Sequence, residues 1–305
     1  MSRSDNAPNL SATRGNALGI WIFRMLIKCG AYRFSLVLAH LVAFCYACFD
    51  RQAFEAARGY LELRFPADKN SVLKMRRHFY RLIAALACNL CSAFALVCGR
   101  KIAVEERNKP DFDGGMVIVL AHFGCWQISM PLLQTPGHEA HIMARPDKNS
   151  NLDKFLALGG GKELHVIDTE GFSGGLVEAA AVLESGGTVI IMGDRAVDAS
   201  GSGKVPFFSG ELELPLSPWM LAARCQKPVV VLFVDWENEK RQKIILDYDP
   251  SIAVPAIGDR RIRPADLQEM LNSYAVKLEE RCRKAPYSFF RFGNEKTTIN
   301  PPEKL

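Results

Sequence analysis

An α/β fold, with a mostly parallel central sheet flanked by helices and an N-terminal helical segment ahead of it, is predicted by three features of the sequence. Beyond about residue 100 the chain alternates short apolar runs with longer amphipathic stretches, the rhythm of strand, loop and helix. Several of those runs, such as Met116-Val-Ile-Val-Leu-Ala121 and Thr188-Val-Ile-Ile-Met-Gly193, are continuous rather than alternating, as expected of strands covered on both faces. Before residue 100 apolar residues instead recur at three- and four-residue spacing, the period of helices.

The chain has 305 residues, enough to bury a full core, and its 49% hydrophobic and 23% charged content belongs to a folded protein. A net charge of +5, from 38 basic and 33 acidic residues, suits an anionic surface or ligand better than duplex DNA. No strand alternates basic and aromatic residues in the RNA-reading pattern, so no nucleic-acid partner is expected. Nine cysteines, an odd number without the spacing of a small secreted domain, indicate a reduced, cytoplasm-facing protein. Cys45-x-x-Cys48 and Cys88-x-x-Cys91 have the spacing of zinc half-sites, but both lie in apolar helical runs and are assigned to packing, so no metal site is expected.

In chain order, residues 1–16 are polar and are expected to form a flexible tail without signal-peptide layout or lipidation motif. Residues 17–100 form an amphipathic and apolar helical region. Leu18, Ile20, Trp21, Ile22, Phe23, Met25, Leu26 and Ile27, interrupted by Arg24 and Lys28, suit a helix at a membrane headgroup layer or a core helix with two snorkelling bases. Phe34–Phe49 is almost wholly apolar but shorter than the roughly 20 residues a span needs, which favours a monotopic or docked helix, a span that takes in Gly30–Arg33 being the alternative. Arg51–Phe65 and Ser71–Gly99 read as helices whose Arg58, Arg64, Lys74, Arg76, Arg77 and Arg81 face acidic lipid or solvent. Residues 101–293 then form the α/β domain, with strands predicted at Met116–Ala121, His138–Ala144, Glu163–Asp168, Thr188–Gly193, Pro228–Asp235 and Lys243–Tyr248. Helices are predicted at Asn151–Leu158, Gly174–Ser185, Pro215–Gln226 and Pro264–Lys284, before a polar C-terminal tail over 294–305.

Two glycine-rich motifs fail on inspection. Gly159-Gly-Gly-Lys162 is followed by Glu163 where a phosphate loop needs Ser or Thr, and Gly201-Ser-Gly203 lacks the third glycine of a dinucleotide fingerprint. What remains is a pair of strand ends. In an open α/β sheet, ligands gather beyond the carboxyl ends of strands. One strand here ends on His122, an imidazole that can take a proton near neutral pH, and a later one on Gly193-Asp194-Arg195. Arg145, after the run ending at Ala144, adds a candidate anion clamp or oxyanion donor.

His122-Phe-Gly-Cys-Trp-Gln127 resembles the His-x-x-x-x-Asp/Glu motif of the lysophospholipid acyltransferase superfamily, most closely the His-Phe-Gly-Asn-Trp-Glu form of the lipid A biosynthesis (lauroyl/myristoyl) acyltransferase family. Asp194-Arg195 followed by Val205-Pro-Phe-Phe-Ser-Gly210 is similar to that family's Asp-Gln and Pro-Phe-Phe-Gly block, and Pro286-Tyr-Ser-Phe-Phe290 to its closing segment. The resemblance extends over about residues 17–293. It implies an α/β acyltransferase domain that moves an acyl chain, without a cofactor, from a thioester donor, acyl carrier protein or acyl-CoA, to a hydroxyl or amine of a lipid or glycolipid acceptor. It further implies a peripheral or monotopic position at the cytoplasmic face of the bacterial inner membrane.

On the same resemblance His122 is the general base, Asp194 orders the site, and Arg145 and Arg195 meet phosphate or the developing oxyanion. Gln127 stands where the family has its carboxylate. An amide can hold an imidazole by a hydrogen bond but cannot neutralise an imidazolium, which leaves Asp194 or Asp198 as candidates to supply the charge. The departure opens a second reading, a catalytically weak relative that binds acyl carrier protein or lipid as a partner subunit. Cys125 is a nucleophile or a buried thiol, and Trp126 is expected to pack beneath the histidine. Phe207 and Phe208 line an acyl groove or belong to the core, and Lys204 binds an acidic carrier or headgroup or is a solvated loop lysine.

Overall fold

A strand of five apolar residues, β2 (Met116–Leu120), lies at the centre of the sheet because it presents no polar side chain to either face; all five residues are buried. The structure, a computed structural model, describes residues 25–26, 29, 31–133, 140–144, 165–170, 172–195, 201–256 and 261–292. On one side β2 pairs in parallel with β5 (Thr188–Met192), and on the other with β8 (Val229–Trp236). Beyond β5 come β3 (Ala140–Ala144) and β4 (His165–Asp168); beyond β8 come β9 (Lys243–Asp249) and β1 (Ala103–Arg107). The seven-stranded order is β1-β9-β8-β2-β5-β3-β4, and every pairing is parallel except β8 with β9. Only residues 237–242 join that pair, too few for the crossover of about a dozen residues that parallel neighbours require.

The two-residue period of β2 divides the core. Val117 and Val119 face one layer, where they meet Val189, Ile191, Trp219, Leu271 and Tyr274, while Met116, Ile118 and Leu120 face the other with Ile190, Val230, Leu232 and Cys125. Around the sheet lie α1 (Tyr32–Phe49), α2 (Arg51–Arg64), α3 (Val72–Val97), α4 (Trp126–Leu133), α5 (Leu176–Glu184), α6 (Ser217–Cys225) and α7 (Pro264–Lys284). Asp50 caps α2 by accepting from the Ala53 N–H at 2.8 Å, and Ser71 caps α3 by accepting from Lys74 at 3.4 Å.

Helix α1 is built inside out relative to a water-soluble helix. Its buried face is Ser35, Ala39, Ala43 and Ala47, one small residue every fourth position, which lets it approach α3 closely. Contacts from Tyr32 to Ser92, His40 to Tyr80 and the Ala47 carbonyl to Arg76 show that the two helices run antiparallel. Its large apolar residues Phe34, Val37, Leu41 and Phe44 face outward, each more than half exposed. Cys88 and Cys91 pack with Ala39 in this helix contact, whereas Cys45 and Cys48 are exposed on α1.

The expected strands at 116, 188, 228 and 243 and the helices at 51, 71, 174, 215 and 264 are present, with ends within about two residues. Three strands were not expected. β1 is mostly exposed and carries Glu105, Glu106 and Arg107, the charged composition of an edge strand rather than an apolar run. The hairpin β6 (Ser202–Phe207) and β7 (Gly210–Pro215) contains Gly203 and Pro206, and its turn places Phe208 at φ 52° without the usual Asn-Gly signal. The helix expected at Asn151–Leu158, most of the first amphipathic segment from Leu18, and both tails lie outside the described residues.

Beyond β2 the chain turns across the end of β8. Gly124 has φ +61°, and a Cβ there would stand 2.0 Å from the Val234 carbonyl oxygen, while the next residue, Cys125, donates its N–H to that same oxygen at 2.9 Å. Gly124→Ala is therefore predicted to destabilise the fold by at least about 3 kcal/mol, read as a lowered denaturation midpoint; a change under about 1 kcal/mol would contradict this account of the turn.

Candidate functional site

The register of β2 and β5 builds the site. Leu120 pairs with Met192, and the Gly193 N–H extends the ladder by donating to the Leu120 carbonyl at 2.7 Å. Two residues past that pair, His122 and Asp194 come side by side, and His122 Nδ1 lies 3.0 and 3.1 Å from the two carboxylate oxygens of Asp194. Gly193 is a glycine for want of room, since a Cβ would stand 2.4 Å from Val119 Cγ1. The Trp126 ring meets the imidazole edge-on with centroids 5.0 Å apart, which limits its rotation.

Asp194 is fully buried, while the His122 side chain keeps 21% of its exposure. Burial pushes the Asp194 carboxyl up, but the neighbouring His122 and the guanidinium groups of Arg195 and Arg291 outweigh it and hold the group below the ordinary carboxylate range. An ionised carboxylate only accepts hydrogen bonds, so Nδ1 carries a proton, and in the neutral ring Nε2 keeps its lone pair. That is the tautomer a general base requires, with a fixed negative charge behind the ring to stabilise the imidazolium once formed.

Gln127, at the start of α4, is 3% exposed, and its Oε1 has no hydrogen-bond partner among the described residues. The imidazole is held by Asp194, and no hydrogen bond joins it to Gln127. Arg195 donates through Nη2 to the Phe290 carbonyl at 2.6 Å, and its buried Nε has no hydrogen-bond partner among the described residues. Phe207 is fully buried within the main core, and Phe208 packs against it, edge-to-face at 4.8 Å, between the guanidinium groups of Arg64 and Arg283. Lys204 is exposed on β6 and lies 3.8 Å from Glu211. Cys125 is fully buried, and burial pushes its thiol well above the usual range, which removes it as a nucleophile. Arg145 and Asp198 lie outside the described residues.

Two polar residues of the surroundings, Asn89 and Asp235, carry no local sequence signal. Asn89 of α3, 3% exposed, donates from Nδ2 to the Gly124 carbonyl at 2.6 Å and accepts on Oδ1 from Trp236 Nε1 at 3.1 Å and from Arg241. It ties the helical region to the turn that carries His122. Asp235, at the end of β8, has its carboxyl pushed up by burial and accepts from the Trp236 N–H at 2.8 Å and the Ser288 hydroxyl at 3.4 Å. Gly171-Phe-Ser173-Gly-Gly175 has Gly-x-Ser-x-Gly spacing, and Ser173 sits at φ 57°, ψ 24° between β4 and α5. No hydrogen bond to the Ser173 hydroxyl occurs among the described residues, and β4 is separated from β2 by two strands, so the serine is not coupled to His122.

A family model described as bacterial lipid A biosynthesis acyltransferase matches residues 103–294, more than half of the chain. The chain belongs to that family. The match takes in both strand ends, the β6–β7 hairpin and the segment around Phe290, and the family is one of acyltransferases that act in lipid biosynthesis. No curated protein is similar enough to be matched with the chain.

Because the folded state depresses the pKa of Asp194, the stabilisation it brings is present above the unfolded value of about 3.9 and is lost as pH falls through the folded one. The stability difference between the parent and Asp194→Asn is therefore predicted to be constant above about pH 5 and to shrink below about pH 4, measured by denaturant midpoints across that range. A difference that grows on acidification would contradict the assignment of an ionised buried carboxylate.

Proposed function

We propose that this protein transfers a fatty acyl chain from a thioester donor, acyl carrier protein or acyl-CoA, to a hydroxyl or amine of a lipid-like acceptor, with His122 as general base. The observation that carries the reading is the His122–Asp194 pair, an imidazole whose Nδ1 is held by a buried carboxylate at the carboxyl end of the central strands. In this scheme the acceptor O–H or N–H gives its proton to His122 Nε2 while its heavy atom bonds to the thioester carbonyl carbon. The negative charge that develops on the carbonyl oxygen is met by Arg195, whose Nε lacks an internal partner. Collapse breaks the C–S bond, and the departing thiolate takes the proton back from the imidazolium. Asp194 stays ionised throughout and stabilises the charged ring.

Gln127 takes no part in that relay. With Asp194 on Nδ1, the carboxylate that the family motif places at position 127 is not needed to fix the tautomer, which favours an active enzyme over a partner subunit without turnover. Arg145, Lys204, Phe207 and Phe208 remain part of the proposal as substrate contacts, Phe207 as the buried wall behind Phe208. The exposed stripe Phe34, Val37, Leu41 and Phe44 on α1 supports docking on a membrane, because a helix that buries its small residues and exposes its large ones is arranged for a lipid environment; the cytoplasmic face of the inner membrane is part of the proposal. At 18 residues α1 is about 27 Å long, and α3, though long and apolar, is more than half buried as a core helix.

His122→Ala is expected to lower thioester consumption by at least about 10³-fold while binding to lipid vesicles persists. Unchanged consumption would remove the catalytic role assigned to His122. Equal loss of lipid binding would show that the substitution acts on the fold.

A further inference from the structure

The segment Ser288–Arg291 fastens both halves of the His122–Asp194 pair. On one side it pairs with the His122 turn: the Phe290 N–H donates to the His122 carbonyl at 2.7 Å, the Gly124 N–H donates to the Ser288 carbonyl at 2.7 Å, and Phe123 faces Phe289 in an antiparallel bridge. On the other side it holds the Asp194 turn: Arg195 donates to the Phe290 carbonyl, and Arg291 Nη1 donates to the Asp194 carbonyl. Arg291 Nη2 reaches the Glu213 carbonyl on β7 at 3.3 Å, so one guanidinium spans the carboxyl end of β5 and the hairpin. A charged side chain with 8% exposure is costly to bury unless its charge is used, and the fully buried Asp194 carboxylate belongs to the residue it grips.

Resting on the reading of His122 as the base, we propose that Arg291 is a positioning residue for the reaction: its fork fixes the backbone of Asp194 and brings a cation to the residue whose carboxylate backs the imidazole. A fork and a cation are separate requirements: Lys keeps the cation without the fork and Gln keeps neither, so the difference between the two variants reports the charge. Among the described residues, the charged and titratable groups facing the pair are Arg195 from the same turn, Tyr274 and Cys282 from α7, and Arg291 from the C-terminal segment. Tyr274 and Cys282 are both pushed upward by burial and stay neutral, which leaves the two arginines as the cations that set how the pair titrates.

The test is the pH dependence of thiol release from a long-chain acyl-CoA by the full chain in detergent, for the parent, His122→Ala, Arg291→Lys and Arg291→Gln. The acid limb of kcat/KM reports the essential base. Arg291→Gln, without the cation, is predicted to move that limb upward by roughly one pH unit and to lower kcat roughly tenfold or more, with KM within about twofold. Arg291→Lys is predicted to keep the parent's limb while kcat falls roughly tenfold. An unmoved limb in Arg291→Gln, or an equal shift in both variants, overturns the proposal and leaves the role of His122 intact. Where Arg291→Gln gives no folded protein, Arg291→Lys decides alone, and kcat within about twofold of the parent overturns the positioning role. Thiol release that survives His122→Ala overturns the reading of the base itself, and this proposal with it.

Discussion

The parallel register of β2 with β5 is the constraint on which the rest of the structure depends. Because Leu120 sits opposite Met192, the residues two steps further along each strand are neighbours, and these are His122 and Asp194. A carboxylate with no exposed surface is expensive to keep ionised, and the cost is offset by the imidazole on one side and two guanidinium groups on the other. The polar network therefore has to be nearly complete, since removing one partner leaves an uncompensated buried charge.

Completing it draws in parts of the chain far from the central strands. Asn89, from a helix that precedes the family-matched region, holds the Gly124 carbonyl, and the C-terminal segment pairs with the same turn through Ser288 and Phe290. Tyr60 of α2 donates to the Pro286 carbonyl at 2.8 Å and packs edge-to-face on Phe289, so the helical region also buttresses that segment. On the proposed reading this continuity links the apolar outer face of α1 to the chemistry, because one set of packed helices faces the membrane and supports the turn that carries the base.

The central sheet was legible because uninterrupted apolar runs leave few other solutions, and both strand-end residues of the site were visible as polar groups closing such runs. The pairing of the two was not, since register and adjacency are properties of the assembled sheet. β1 and the β6–β7 hairpin escaped for a related reason: charged residues, a glycine and a proline occupy positions where edge location and tertiary contacts, such as the Glu279 carboxylate accepting from the Phe208 N–H, replace local propensity. Asn89 and Arg291 carry no local signal, being single polar residues whose partners lie 35 to 152 positions away. Gln127 drew notice through its motif, yet the hydrogen bond that orients the imidazole comes from the neighbouring strand.

The protonation of His122 tests the central claim most directly. Nitrogen-15 chemical shifts of its neutral ring, assigned by comparison with His122→Ala, are predicted to show a proton on Nδ1 and a bare Nε2. Asp194→Asn should disturb that state while Gln127→Ala leaves it in place. A proton resident on Nε2 in the parent, or a tautomer that follows Gln127 rather than Asp194, would contradict the account.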